Sequence, residues 1–114
     1  MAIVRREDVR LTEVGEGRQR YLTHTDHLMA VVLEIEGAPP DEPDPPHAHP
    51  HEQITYVAAG QVRFFIDGAP VTLGPGDLIT VPPDAPHCIQ PLTESVRLVD
   101  MFTPLREDFL EEHI

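Results

Sequence analysis

The sequence predicts an all-β fold, a double-sheet jelly roll or small barrel built as one domain over residues 1–114. Three observations carry this expectation. Apolar and polar residues alternate over short stretches, the period of half-buried strands. Turns containing glycine, proline or Asp-Gly separate those stretches at short intervals, with no helical pattern between them. Thirteen prolines in 114 residues is about twice the usual share. That number argues against long helices, which proline interrupts.

Taken in order, the first strands are expected at Arg18–Thr23 and His27–Ile35. Ala38–Pro46 (APPDEPDPP) reads as a stiff acidic loop, because strand patterns flank it on both sides. A long strand over Pro46–Ala59 follows and ends at Gly60. Val62–Ile66 and Ala69–Leu73 form a hairpin around Asp67-Gly68, residues that accept the positive φ of a two-residue turn. Gly74-Pro75-Gly76 turns the chain into Asp77–Val81, and Pro82–Pro86 leads to His87–Gln90. Ser95–Thr103 completes the set, and the tail from Leu105 to Ile114 predicts one or two helical turns.

Composition narrows the function. A net charge of −12 opposes binding to a phosphate backbone and excludes nucleic acid as an expected partner. An anionic small molecule would have to be captured by local positive charge, such as a bound dication together with Arg106. The single cysteine, Cys88, excludes an internal disulfide, and by strand alternation it faces away from His87 and packs outward. The N-terminus lacks a signal-peptide layout and no apolar run reaches membrane-spanning length, so a cytoplasmic protein without a membrane partner is expected.

The chemistry concentrates in His47-Ala48-His49-Pro50-His51-Glu52-Gln53 and in Pro82-Pro83-Asp84-Ala85-Pro86-His87. On an extended segment, residues two apart face the same way, which places His47, His49 and Gln53 on one side. His87 opens a later apolar run that barrel pairing could bring alongside. Three imidazole nitrogens and one amide oxygen then converge, a shell suited to a divalent transition metal such as Ni, Zn, Fe or Mn. Glu52 has the wrong parity for that shell. His51 has the right parity, so alternation does not separate it from Gln53; the motif spacing described next favours Gln53.

The spacing resembles the two cupin motifs. HxH, a short gap, Gln53 and then Gly60 match the first, over about residues 47–60. Gly76, Pro82 and His87 match the second, over about residues 76–87, with Asp84 in its second glycine position. An Asn or Asp is accepted in such a turn. The first motif lacks a glycine six residues before His47, where the proline-rich acidic stretch stands instead. The resemblance implies a cupin, a double-stranded β-helix or jelly-roll barrel. The tail Asp100-Met101-Phe102-Thr103-Pro104-Leu105-Arg106-Glu107-Asp108-Phe109-Leu110 narrows it further, since it resembles the C-terminal signature of the KdgF group of pectin-degradation cupins.

That resemblance implies an enzyme that promotes ring opening of 4,5-unsaturated monouronates to the linear 4-deoxy-5-keto-uronate. It further implies His47, His49, Gln53 and His87 as metal ligands, with Asp100, Phe102 and Arg106 at the catalytic end, and a homodimer. The residue chemistry agrees. The even positions Val96, Leu98, Asp100 and Phe102 share a face, so an inward face would hold Asp100 among apolar side chains, and desolvation would raise its pKa. The planar fork of Arg106 fits a carboxylate, although a surface ion pair with Glu107 or Asp108 is its alternative use. Two other function classes fit the same motifs: a small-molecule dioxygenase with a three-histidine metal site, and a sugar- or small-ligand-binding module without catalysis.

Overall fold

The computed structural model describes residues 1–113 and contains two antiparallel sheets. Its strands are β1 (Thr12–Gly15), β2 (Arg18–His24), β3 (Met29–Glu36), β4 (Glu52–Ala59), β5 (Val62–Ile66), β6 (Ala69–Leu73), β7 (Leu78–Val81), β8 (His87–Pro91) and β9 (Ser95–Thr103). One sheet has the order β1-β2-β3-β9-β4-β7 and the other β6-β5-β8. A short helix, α1 (Glu107–His113), ends the described chain. The final residue of the expected helical tail, Ile114, lies outside the described residues. Among those described, no helix is long and apolar enough to cross a membrane.

The all-β jelly-roll expectation holds, and most strand ends fall within two residues of those expected. Two differences matter. Thr12–Gly15 forms an edge strand against β2 that the short Leu-Thr-Glu-Val pattern does not announce. The expected strand Pro46–Ala59 becomes regular only from Glu52. Proline has no N–H to donate, so Pro46 and Pro50 interrupt the ladder, and only an isolated bridge between His47 and His87 joins this stretch to a strand.

Two apolar clusters fill the space between the sheets. Ile35, Val57, Val62, Val96 and Leu98 pack at one end. Leu22, Met29, Val31 and Phe102 pack at the other, where Leu105, Phe109 and Leu110 of the tail close over them. Alternate residues of β9 enter this core: Val96, Leu98 and Phe102 are buried while Ser95 and Arg97 are exposed. This alternation keeps Asp100 on the inward face between the two clusters.

Gly60 shows why the first motif needs glycine at its end. Its φ is +77°, and a Cβ there would stand 2.1 Å from the Ser95 carbonyl oxygen, so the β4–β5 turn is pressed against the start of β9. Gly74 has open space around it and ordinary backbone. Gly60→Ala should therefore destabilise the protein by at least about 2 kcal/mol, whereas Gly74→Ala changes stability by less than about 0.5 kcal/mol. Urea unfolding of both variants checks this, and equal stabilities would contradict it.

Candidate metal centre and cavity

Backbone pairing sets the histidines in place. The N–H of His47 donates to the His87 carbonyl at 3.0 Å, and the N–H of His87 donates back to the His47 carbonyl at 2.8 Å. The second motif's turn is tied to the first as well, since the Asp84 N–H donates to the His49 carbonyl at 2.8 Å. Asp84 holds φ at +64°, which explains how it serves in place of glycine. The result is a cluster in which ligand atoms of His47, His49 and His87 lie within 4.8 Å of one another. Three imidazole nitrogens grouped this closely could hold one divalent transition metal.

The hydrogen bonds around the cluster suit a metal. His87 Nδ1 donates to the Ala85 carbonyl at 2.9 Å, which fixes the tautomer and leaves Nε2 with its lone pair. His49 Nε2 stands 2.9 Å from Gln53 Oε1. Its buried Nδ1 has no hydrogen-bond partner, so part of this ring's bonding capacity is unused within the protein. His47 is exposed, yet partial desolvation, reinforced by neighbouring imidazoles and Arg106, lowers its pKa. Burial does the same for His49 despite its bond to Gln53. Both effects favour the neutral ring, the form that ligates.

His51 separates from Gln53 here. It lies in the bend before β4, and its Nε2 donates to the Leu105 carbonyl at 3.1 Å, so this ring anchors the tail. Gln53 sits within β4 and is buried, while Glu52 is exposed.

A hydrogen-bonded line runs from the cluster to the carboxylate. Gln53 Nε2 donates to Thr55 Oγ1 at 2.9 Å, and the Thr55 hydroxyl donates to Asp100 Oδ1 at 2.6 Å. Because the amide nitrogen is committed to Thr55, the amide oxygen must face His49. Register makes the line possible: β4 and β9 pair Thr55 with Asp100 and Gln53 with Phe102. Thr55 is fully buried. Its parity with Gln53 was visible in the sequence, but its position opposite Asp100 depends on a register that no local pattern reveals.

Asp100 lies in the same cavity as His47, Gln53, His87 and Arg106, a space of about 350 Å³. Desolvation raises its pKa to about 6, against the lowering effects of the Thr55 hydroxyl and the Arg106 charge. Arg106 makes the ion pair considered for it, with Nε and Nη2 donating to the two Asp108 oxygens at 3.1 and 2.8 Å. Even so, its side chain is only 12% exposed. The guanidinium carbon is 4.1 Å from the Phe109 ring centroid and 5.3 Å from that of Phe102. Phe102 in turn sets its ring edge-on to His49, with centroids 5.6 Å apart. Six of the seven residues singled out in the sequence therefore line this space, and His49 joins them through the histidine cluster. Cys88, expected to pack outward, is buried, and this burial raises its thiol pKa.

The sequence profile described as "Cupin domain" matches residues 34–102. The pectin degradation protein KdgF of Dickeya dadantii is 37% identical over 101 residues, covering 86% of this chain and 88% of its own. Among solved structures, KdgF from Halomonas sp. superposes with a TM-score of 0.86 at 29% identity, covering 96% of this chain and 98% of its own. An RmlC-like cupin from Shewanella frigidimarina gives a TM-score of 0.83 at 32% identity over 96% of both chains.

The raised pKa of Asp100 has a consequence for stability. An acid whose pKa rises from 3.8 to about 6 on folding opposes folding when ionised, so the cost is absent below about pH 4 and complete above about pH 6. Asp100→Asn should leave the metal-free protein's stability close to native at pH 4 and raise it by about 2–3 kcal/mol relative to native at pH 8. Urea unfolding at the two pH values measures the difference, and a pH-independent difference would contradict the assignment.

Proposed function

Since the chain belongs to the cupin family, we propose that it acts as a metal-dependent isomerase. In this reading it opens the ring of 4,5-unsaturated monouronates from pectin or alginate breakdown. The observation that carries the reading is the buried line from Gln53 through Thr55 to Asp100. It sets a carboxylate with a pKa of about 6 in the same cavity as the histidine cluster and an arginine fork. The KdgF relative, named for pectin degradation, supports the substrate class.

The proposed metal ligands are His47, His49, Gln53 and His87. All four are neutral, so a dication held there would keep its full charge for attracting a carboxylate or polarising a hydroxyl. The remaining roles belong to the chain. Asp100 accepts the proton of the C1 hydroxyl as the bond from C1 to the ring oxygen breaks, leaving an aldehyde at C1 and an enol system at C5. The same carboxyl returns a proton to C4 as the C5 ketone forms, so the conversion is an isomerisation with no net gain or loss of protons. A pKa near 6 suits both directions of that transfer. Thr55 orients the carboxylate, Arg106 fits the substrate carboxylate, and Phe102 packs on the sugar face and excludes water. A homodimer belongs to the same reading; exposed Ile54, Tyr56 and Leu78 on β4 and edge strand β7 offer it apolar surface.

The test follows the ultraviolet absorbance of a fresh unsaturated monouronate made by lyase digestion, with NMR of the product. Metal-loaded protein should accelerate its decay to the linear keto acid, and Asp100→Asn should lower that rate at least about 100-fold. Decay equal to the protein-free control, with metal shown to be bound, would reject the assignment. Oxygen uptake with other small substrates would then favour a dioxygenase, and ligand binding that survives Asp100→Asn without turnover would favour a binding module.

A further inference from the structure

The chain has eight arginines and no lysine, against twenty acidic residues. Three of those eight, Arg18, Arg20 and Arg106, line the cavity that holds the histidine cluster. Arg18 and Arg20 come from β2, where alternation gives them the inward face they share with buried Leu22. Arg20 is itself buried and places its guanidinium carbon 3.9 Å from the Phe109 centroid. A protein with a net charge of −12 has thus set three of its eight cations around one small space, which favours an anionic occupant.

Arg18 has a carboxylate on it already. Its Nη1 and Nη2 donate to Asp44 Oδ2 and Oδ1 at 2.6 and 2.9 Å, the two parallel bonds by which a guanidinium recognises a carboxylate. Asp44 lines the same cavity and belongs to the proline-rich acidic stretch that stands where the first cupin motif departs from its pattern. The pair is within reach of solvent, with the two side chains 22% and 32% exposed. Other bonds hold the loop. The Asp44 N–H donates to the Ile89 carbonyl at 2.9 Å, and Gln90 Nε2 donates to the Pro40 carbonyl at 3.2 Å. The Asp44 carboxylate can therefore leave Arg18 without releasing the loop's backbone.

We propose that Arg18 is a second carboxylate-recognition residue of this cavity and that Asp44 occupies it as an internal competitor, yielding it to the carboxylate of a bound sugar acid. The proposal rests on reading the cavity as a sugar-acid site, but not on the reaction. Exchanging one carboxylate for another keeps the guanidinium paired, so the ligand need not overcome a new desolvation cost at Arg18. It must instead displace a tethered rival whose local concentration is at least millimolar. A neutral sugar has nothing with which to make that exchange, and Asp44 thereby selects for acids.

Calorimetric titration of zinc-loaded protein with galacturonate and with galactose tests this without turnover. The native protein, Asp44→Asn, Arg18→Gln and the double variant are compared, each checked for native circular dichroism. Asp44→Asn should bind galacturonate at least about 5-fold more tightly than native, with galactose unchanged. Arg18→Gln should weaken galacturonate binding, and the double variant should lose the gain. An unchanged affinity in Asp44→Asn, or a gain that persists in the double variant, overturns the competitor. If native protein and Arg18→Gln bind galacturonate equally, Arg18 is no part of the site while the sugar-acid reading stands. Absence of galacturonate binding by every form overturns both.

Discussion

The pairing of β4 with β9 is the constraint on which the site depends. It sets Thr55 opposite Asp100 and Gln53 opposite Phe102, all facing the space between the sheets. A one-residue slip of β4 against β9 would turn Gln53 and Thr55 to the outer face and replace them with Ile54 and Tyr56. The register is held by the apolar residues of the same faces, since Val57, Val96, Leu98 and Phe102 are all buried. It is also held by the turn at Gly60, whose close approach to Ser95 locks the end of β4 to the start of β9. Packing that stabilises the fold thus also sets the line of hydrogen bonds from the cluster to the carboxylate.

That line resolves a chemical conflict. A carboxylate among apolar side chains is costly to ionise, and imidazoles beside an arginine resist protonation. Here desolvation acts on both: it raises the Asp100 pKa and lowers those of His47 and His49. The groups remain distinct in role because their bonding differs. The histidines are fixed by backbone pairing and by the Ala85 carbonyl, while Asp100 is fixed by Thr55. Arginines on β2 and in the tail then make the cavity attractive to anions despite the acidic exterior.

Much of this was legible in the sequence, for identifiable reasons. Strand alternation located Asp100 and Phe102 on the inward face because β9 is a long, regular strand. Motif spacing found His47, His49 and His87. Alternation does not separate His51 from Gln53 because the two share parity, and it carries little information over Pro46–His51, where proline removes ladder donors and the chain bends. Motif spacing favours Gln53, and the tertiary contact of His51 with the Leu105 carbonyl gives that ring a different use. Thr55 and Arg18 went unnoticed because their partners, Asp100 and Asp44, lie far along the chain. The four residues of edge strand β1 carry too little pattern to separate a strand from a loop.

Thr55 joins the histidine end of the cavity to its acid by orienting the Gln53 amide. The most direct measurement is zinc affinity, by competition with a chromophoric chelator, for the native protein, Thr55→Ser and Thr55→Val. Serine keeps the hydroxyl, and its affinity should stay within about 3-fold of native. Valine keeps the shape but cannot bond the Gln53 amide, and its affinity should fall at least about 10-fold, as expected when a residue that orients a ligand is lost. Equal affinity for all three proteins would show that the amide needs no such orientation and would contradict the account.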